Sequence, residues 1–431
     1  MRETRSQKRG STRGLERLPS AKKAAAPRSE VRERAENGMV LIRKRIKYRW
    51  FTLGAGLDLP LLILICILLA VGLVMMFSAS YAFAFANYGD SYLFIGRQSI
   101  FAVAGVIAML LISTVDYHKF HRLATLIYAI AIGLLVLLFV CALFDIEAIA
   151  PNKNGATRWL NFGFMEFQPS EVAKFAMVTM LADYISRKSD RISASKGTYG
   201  LIVCLAIFGV VAGFVLLEKH FSAAIIITLL AFTLFFIGGY NPKHLTVIFI
   251  IGVVAAVLVL QLPMFSHSLL RFMGWLDPFN PNPPEGVDTW QTRQGLYAIG
   301  SGGLLGVGLG QSKQKYLYLP EPQNDFIFAI VCEELGFIGA IIVILLFAML
   351  IWRGVYISIN AKDKFGTLLG VGITFTVGIQ AVLNICVVTN ALPNTGISLP
   401  FFSYGGTSLL MLLGQMGVLL SISRHSNIEK T

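Results

Sequence analysis

Nine separate stretches of this chain are long and apolar enough to cross a lipid bilayer, which leaves few folds open. A spanning helix needs roughly 20 predominantly apolar residues. In hydrocarbon only helices and closed barrels satisfy every backbone hydrogen bond. The qualifying runs cover approximately 58–79, 93–113, 123–143, 198–217, 222–239, 244–262, 325–352, 366–390 and 405–422. A tenth run, 170–186 (SEVAKFAMVTMLADYIS), is shorter and more polar. It counts as a span because the loops alternate correctly only with it included. The expected fold is an all-α integral membrane protein with ten transmembrane helices, both termini cytoplasmic, and a large extracytoplasmic loop between helices 7 and 8.

Composition points the same way. The 431 residues are 55% hydrophobic and only 14% charged, with mean hydropathy +0.67. A soluble domain carries about 25% charged residues. The net charge of +13 is concentrated at one end: residues 1–50 hold 16 of the 37 Lys and Arg but only 5 of the 24 Asp and Glu. This segment has few apolar residues before position 39 and cannot build a core. It reads as a basic, disordered cytoplasmic tail that sets topology, ahead of a membrane domain over 55–425. Anionic headgroups or nucleic acid could attract such a tail, but no nucleic-acid partner is expected. It is not read as a signal peptide, because the first apolar run starts near residue 58. The cysteines Cys66, Cys141, Cys204, Cys332 and Cys386 each lie in an apolar run, so they read as small hydrophobes rather than disulfides or metal ligands.

Loop charge is a test independent of hydropathy. The expected inner loops 114–122, 187–197, 240–243 and 353–365 all contain Lys or Arg, whereas outer loops 80–92 and 391–404 contain none. That is the positive-inside pattern. The longest outer loop, 263–324, opens with WLDPFNPNPPEG and then turns glycine-rich. A structureless loop of this length is uncommon and usually functional. The glycines contain no G-x-G-x-x-G and lack a βαβ setting, so closely packed or re-entrant backbone is the better reading than nucleotide binding.

Ionisable groups inside spans are functional candidates by default. Glu171 and Lys174 are three apart, on one helix face, where they can pair. Pro169 and Ser170 signal that helix's start. Upstream, Arg158 beside Trp159 is an outward-side cation suited to a phosphate. Glu218, Lys219 and His220 make a short outer turn that could equally be plain interfacial residues. In YLYLPEPQNDFIFAIVCEELG, 316–336, Asp325 stands where a helix N-cap would be. Glu333 and Glu334 follow inside the span. Adjacent helical residues point about 100° apart, so only one of these is expected to face a polar cavity. The uncharged segment ALPNTGISLPFFSYGGTS, 391–408, could line a cavity or simply connect two helices.

Three blocks, ATRWLNFG…QPSEVAKF, WLDP…WQTRQGLYAIGSGGLLGVGLGQSKQKYLYLPEPQNDFIFAIVCEELG and LPNTGISLPFFSYGGTS, together resemble the SEDS family represented by FtsW, RodA and SpoVE. The likeness covers about 55–425 and is closer to FtsW or SpoVE than to RodA. It implies a ten-span peptidoglycan glycosyltransferase of the bacterial cytoplasmic membrane that polymerises lipid II during division or sporulation. It also implies a class B penicillin-binding protein as partner and polyprenyl-pyrophosphate-linked glycan as the second substrate. A sugar hydroxyl attacks, a general base takes its proton, and the departing pyrophosphate needs positive charge from Arg158, Lys174 or a divalent cation. Substrate-binding roles are expected for Arg158, Trp159, Glu171, Lys174, Glu321, Asp325, Glu333 and Ser403.

Two departures stand out. Where the resemblance implies a catalytic Asp-Pro, this chain has Asn282-Pro283, followed by Pro284-Glu285-Gly286-Val287-Asp288. An amide cannot accept a proton near neutral pH. Either the base has moved to Asp288 or to Glu285, or activity is lost. Asp277, followed by Pro278, reads as a turn residue. The second departure is LLEKHFSAA, where the family has a P-D-L-G-T-like turn. Two other classes stay open: a flippase or transporter of a lipid-linked precursor, and a non-catalytic scaffold that activates a penicillin-binding protein.

Overall fold

The computed structural model describes residues 30–34, 40–44, 56–153, 156–163, 165–194, 198–260 and 266–426. The expected disordered tail lies mostly outside this set. Its described residues form one antiparallel ladder, Glu30–Arg34 with Val40–Lys44. The tail and the rest, from Trp50 onward, are separate units.

The second unit is mostly helical. Each expected span is a helix: α1 (Leu59–Tyr88), α2 (Leu93–Thr114), α3 (His118–Leu143), α4 (Pro169–Arg187), and, after a short α5 (Ser189–Ala194), α6 (Leu201–Leu217), α7 (Phe221–Gly238) and α8 (Pro242–Leu260). After two loop helices, α9 (Ser266–Leu276) and α10 (Trp290–Gly302), come α11 (Ile327–Ile359), α12 (Lys364–Val388) and α13 (Gly406–His425). Seven of them, α1, α2, α3, α7, α11, α12 and α13, are long and apolar enough to cross a membrane. This is an all-α membrane protein.

Local chemistry starts and stops these helices. Asp58 caps α1, its Oδ1 accepting from the Leu61 N–H at 3.0 Å, and Pro60 sits in the first turn. Gly89 ends it at φ 72°, a conformation glycine adopts without strain. Asp363 caps α12 by accepting from the Gly366 N–H at 3.3 Å.

Burial sorts the bundle. The apolar windows of α12 and α13 are 67% and 72% buried, those of α2 and α3 only 22%. So α12 and α13 form the centre, and α2 and α3 turn most of their surface outward. Helix α4 packs against α3, α12, α7 and α6. That enclosure explains its weak hydropathy: protein rather than lipid surrounds it, and buried polar groups such as Lys174, Thr179 and Asp183 can find partners there.

One end of the bundle is laced by charge. Arg353 holds Asp58 through two bonds, of 3.0 and 2.7 Å. Tyr117 donates to Asp363 at 2.5 Å, and Asp183 takes His121 and Arg187. The opposite end carries the long loops. Residues 144–169 contain two small ladders, Asn152–Lys153 with Ala156–Thr157 and Leu160–Asn161 with Glu166–Phe167.

The long loop over 263–324 is structured: it holds α9 and α10, and α10 packs on α11. The glycine-rich segment after α10 docks its backbone on a break in α11. Val307 and Gly308 donate to the carbonyls of Glu333 and Glu334 at 3.0 and 3.1 Å, and Phe337 and Ile338 donate to those of Gly303 and Leu304 at 2.9 and 3.1 Å. Gly336, at φ 67°, makes the break. A Cβ on Gly306 would overlap the Glu334 carbonyl, and one on Gly336 the Gly306 nitrogen. Close backbone approach is therefore what the glycines provide.

Candidate functional site

At the loop-rich end, α9, α10 and the 390–405 segment enclose a cavity of about 210 Å³. Its walls include Arg271 and Trp275 from α9, Asp288 from the linker, Gln291 and Thr292 from α10, and Asn394. Hydrogen bonds hold these walls together. Trp275 Nε1 donates to the Asn390 carbonyl at 3.0 Å, and Asn394 Nδ2 donates to Gln291 Oε1 at 3.0 Å. Gly274 lies close to Val287 and Thr289, so α9 and the linker fold onto each other.

Asp288 is exposed to this cavity. One oxygen, Oδ1, accepts from the Trp290 N–H at 2.9 Å, which fixes the carboxylate at the start of α10. Glu285 and Asn282 are exposed and do not line the cavity. The Asn282 N–H is turned to Asn280 Oδ1 at 2.9 Å. Asp277 is a turn residue as expected, its carbonyl accepting from Asn280.

A second group of polar residues gathers around the α6–α7 turn. Arg158 Nη2 donates to the Lys219 carbonyl at 2.7 Å. Burial lowers the Arg158 pKa, the guanidinium of Arg271 adds to that, and Glu218 opposes it. Glu218 is buried, and burial lifts its carboxyl to about 8 against the pull of Arg158. His220 is held neutral at about 3 by burial and by the charges of Arg158 and Lys174, and its Nδ1 lies 3.3 Å from Ser170 Oγ. Trp159 is partly buried beside Arg158. Ser222 donates to the Thr395 carbonyl, tying this turn to the 390–405 segment.

Glu171 and Lys174 form the expected pair, Nζ to Oε1 at 2.8 Å, with Lys174 only 1% exposed. Glu171 also lines a small polar cavity of about 30 Å³ with Thr376, Gln380, Ser403 and Gln415. That volume holds a water molecule.

Asp325 does not cap a helix. The cap position is Phe326, and no side chain bonds there. Asp325 lies in the preceding turn beside Gly396. Burial lifts its carboxyl to about 6, opposed by Arg271 and reinforced by Glu321. Glu321 is exposed and accepts from Asn324 Nδ2 at 2.7 Å. Ser403 is committed to backbone: its Oγ accepts from the Leu399 N–H at 2.7 Å and donates to the Asn324 carbonyl at 2.6 Å.

The expectation that Glu333 and Glu334 diverge, one toward a polar cavity, is also corrected. Both are buried and converge on Ser312. Glu333 Oε2 accepts from Ser312 Oγ at 2.5 Å and its Oε1 from the Lys313 N–H at 2.9 Å. Glu334 Oε1 accepts from Lys315 Nζ at 2.9 Å and from the Ser312 N–H at 3.3 Å. The docked loop wraps over the helix face, so a 100° step between the two side chains does not separate their partners.

Sequence reasoning passed over Arg271, Gln291, Asn394, Gln380 and Gln415. Arg271 is a lone cation in an apolar, helix-forming stretch, and nothing in its spacing marks it. Gln380 and Gln415 carried a signal, each an uncharged polar group within an apolar run; Gln291 lies in a polar stretch and carried none.

The comparisons with known proteins agree with this architecture. The family model for cell cycle proteins of the FtsW, RodA and SpoVE type matches residues 59–428. Stage V sporulation protein E of Bacillus subtilis is 40% identical over 340 residues, 79% of this chain and 89% of that protein. The Trichlorobacter lovleyi protein named "Probable peptidoglycan glycosyltransferase FtsW" is 37% identical over 340 residues, 78% of this chain and 85% of that one. A solved chain from work on "polymerization and crosslinking by a peptidoglycan synthase complex" superposes with TM-score 0.69 at 24% identity, covering 87% of this chain and 99% of that one. Rod shape determining protein RodA of Thermus thermophilus gives TM-score 0.62 at 23% identity, with the same coverage. With a family match over nearly the whole membrane unit and relatives above one-third identity, the chain belongs to the FtsW/RodA/SpoVE family of multi-pass membrane proteins.

Proposed function

We propose that this protein is a peptidoglycan glycosyltransferase that polymerises lipid II into glycan strands at the outer face of the bacterial cytoplasmic membrane. The observation that carries this reading is that Arg271 and Asp288 line one cavity of about 210 Å³. A glycosyl transfer from a lipid pyrophosphate needs a cation for the leaving group and a base for the attacking hydroxyl, a few ångströms apart. Here Asp288 takes the proton of the acceptor sugar hydroxyl as its oxygen bonds to the anomeric carbon of the growing strand. The bond from that carbon to the pyrophosphate breaks, and Arg271 and Arg158 neutralise the departing charge. Positive charge at the departing pyrophosphate comes from these arginines.

Ten spans with both ends inside is the topology that goes with this reading. It places the cavity outside and the Lys- and Arg-bearing loops in the cytoplasm. A class B penicillin-binding protein is the proposed partner, supported by the likeness to a chain studied in a peptidoglycan synthase complex. Relatives named for sporulation and for FtsW leave both processes as settings. The test is lipid II polymerisation by the purified protein with its penicillin-binding partner, wild type against Asp288→Ala, with an active relative as control. Glycan from wild type and none from the variant is expected. No glycan from either, with the control active, overturns the reading.

One observation favours a second reading, a scaffold that activates its partner without chemistry of its own. Asn282 stands at the position where the family resemblance implies an acid, and it does not line the cavity.

A further inference from the structure

Glu218, which is buried, and Arg158, which is half-buried, are an acid and a base that do not satisfy each other. Glu218 is 5% exposed, and neither of its carboxyl oxygens has a hydrogen-bond partner. The Nε of Arg158 is likewise buried without a partner. Among the described residues, the guanidinium's hydrogen bond goes to a neutral carbonyl, that of Lys219. Arg271 is close enough to repel it. A buried polar group left unpaired costs about 1–3 kcal/mol, more when charged, so such groups call for a ligand or a change of protonation state. An ionised Glu218 beside Arg158 would form an ion pair. Instead the carboxyl is enclosed where burial favours its neutral form.

We propose that protonated Glu218 and Arg158 together form a two-donor site for a phosphate group, and that ionisation of Glu218 expels the phosphate. The inference rests on the proposed reading of Arg158 as a pyrophosphate ligand and adds the device that governs it. With Glu218 neutral, its O–H and the Arg158 Nε–H are both donors, and the guanidinium lacks a counter-ion. An anion with several acceptor oxygens completes both. Loss of the Glu218 proton places a negative charge against the bound phosphate and gives Arg158 an internal partner. Other charged groups around this turn do not change that logic. Lys174 is engaged by Glu171 at 2.8 Å, His220 is held neutral, Arg271 adds to the pull on an anion, and Lys219 belongs to the same turn. Water bridging the two groups is the competing explanation, and it predicts no anion dependence.

The experiment is calorimetric titration of inorganic pyrophosphate into the purified full chain in detergent between pH 6.5 and 9.5. Wild type, Glu218→Gln and Arg158→Ala are compared, each checked at pH 7 for a monodisperse elution profile and cooperative thermal unfolding. Glutamine keeps a neutral donor of similar shape at every pH. The readout is the ratio of wild-type to Glu218→Gln affinity, which cancels the titration of pyrophosphate itself. That ratio is expected to fall about tenfold between pH 7 and pH 9, as a group titrating near 8 requires. Arg158→Ala is expected to abolish binding. If Arg158→Ala abolishes binding but wild type and Glu218→Gln run parallel, the Glu218 device is overturned while the phosphate site stands. If wild type does not bind pyrophosphate, or Arg158→Ala binds as well as wild type, the phosphate reading itself falls, and the device with it.

Discussion

Lys315 Nζ lies 2.9 Å from Glu334 Oε1, with both side chains almost fully buried. The same ammonium donates to Ser78 Oγ at 3.1 Å and to the Gly310 carbonyl at 2.7 Å. All three of its protons are therefore used, and Ser78 closes the circuit by donating to Glu334 at 2.7 Å. Through this one ion pair, α1, the docked loop and α11 are tied together at the break in α11.

Breaking that pair from one side leaves a buried charge without compensation. Lys315→Met is expected to lower stability by about 3–5 kcal/mol, read as a fall in unfolding temperature of the detergent-purified protein. The double variant Lys315→Met with Glu334→Leu should recover much of the loss, because the remaining charge is gone. If the double variant is no better than the single, the pair is not what the loop depends on.

The glycines separate into two kinds. Gly306→Ala meets α11 backbone at a positive φ of 81°, whereas a Cβ on Gly300 finds open space. We expect Gly306→Ala to cost about 1–3 kcal/mol from strained backbone alone, with the clash against the Glu334 carbonyl adding to it. Gly300→Ala, inside α10, should stabilise by about 1 kcal/mol. Equal melting temperatures for the two variants would contradict the docked arrangement of the loop.

Stability near the α6–α7 turn should depend on pH in two opposite ways. His220 has its folded pKa lowered from 6.5 to about 3. Its contribution is fully present above 6.5 and is lost as pH falls toward 3. Glu218 is raised from 4.5 to about 8. Its contribution is fully present below 4.5 and is lost as pH rises through 8. Glu218→Gln should therefore unfold at a higher temperature than wild type at pH 9, with the gap closing below pH 5. His220→Gln should flatten the acid side of the same curve. Unfolding temperatures across pH 4–9 check both.

Within the polymerisation reading, position relative to the cavity should order the acids. Asp288→Ala is expected to lower turnover by about 10²–10⁴-fold, the range for loss of a general base. Glu285→Ala and Asp277→Ala should leave it unchanged, since neither residue lines the cavity. Asn282→Asp should bring no gain for the same reason. A gain from Asn282→Asp would mean that this part of the loop reaches the reacting atoms and that the base belongs there.

Much of this protein was determined by its sequence alone. Hydrophobic runs near 20 residues specify membrane helices because hydrocarbon tolerates no unpaired backbone, and every expected run is a helix. A local signal at one helix start was also legible: Pro169 opens α4, where its missing N–H costs nothing. The Glu171–Lys174 pair followed from helical spacing. The tertiary structure decided what these local rules do not reach. Asp325 looked like a cap, but the helix begins two residues later, and its carboxyl sits beside Gly396, 71 residues away in sequence. Glu333 and Glu334 looked divergent, but a loop wraps around both. Arg271 carried no signal because its role depends on α9 folding across the 390–405 segment. Whether a polar side chain ends against water, another side chain or a cavity depends on contacts distant in the chain, and no local pattern encodes them.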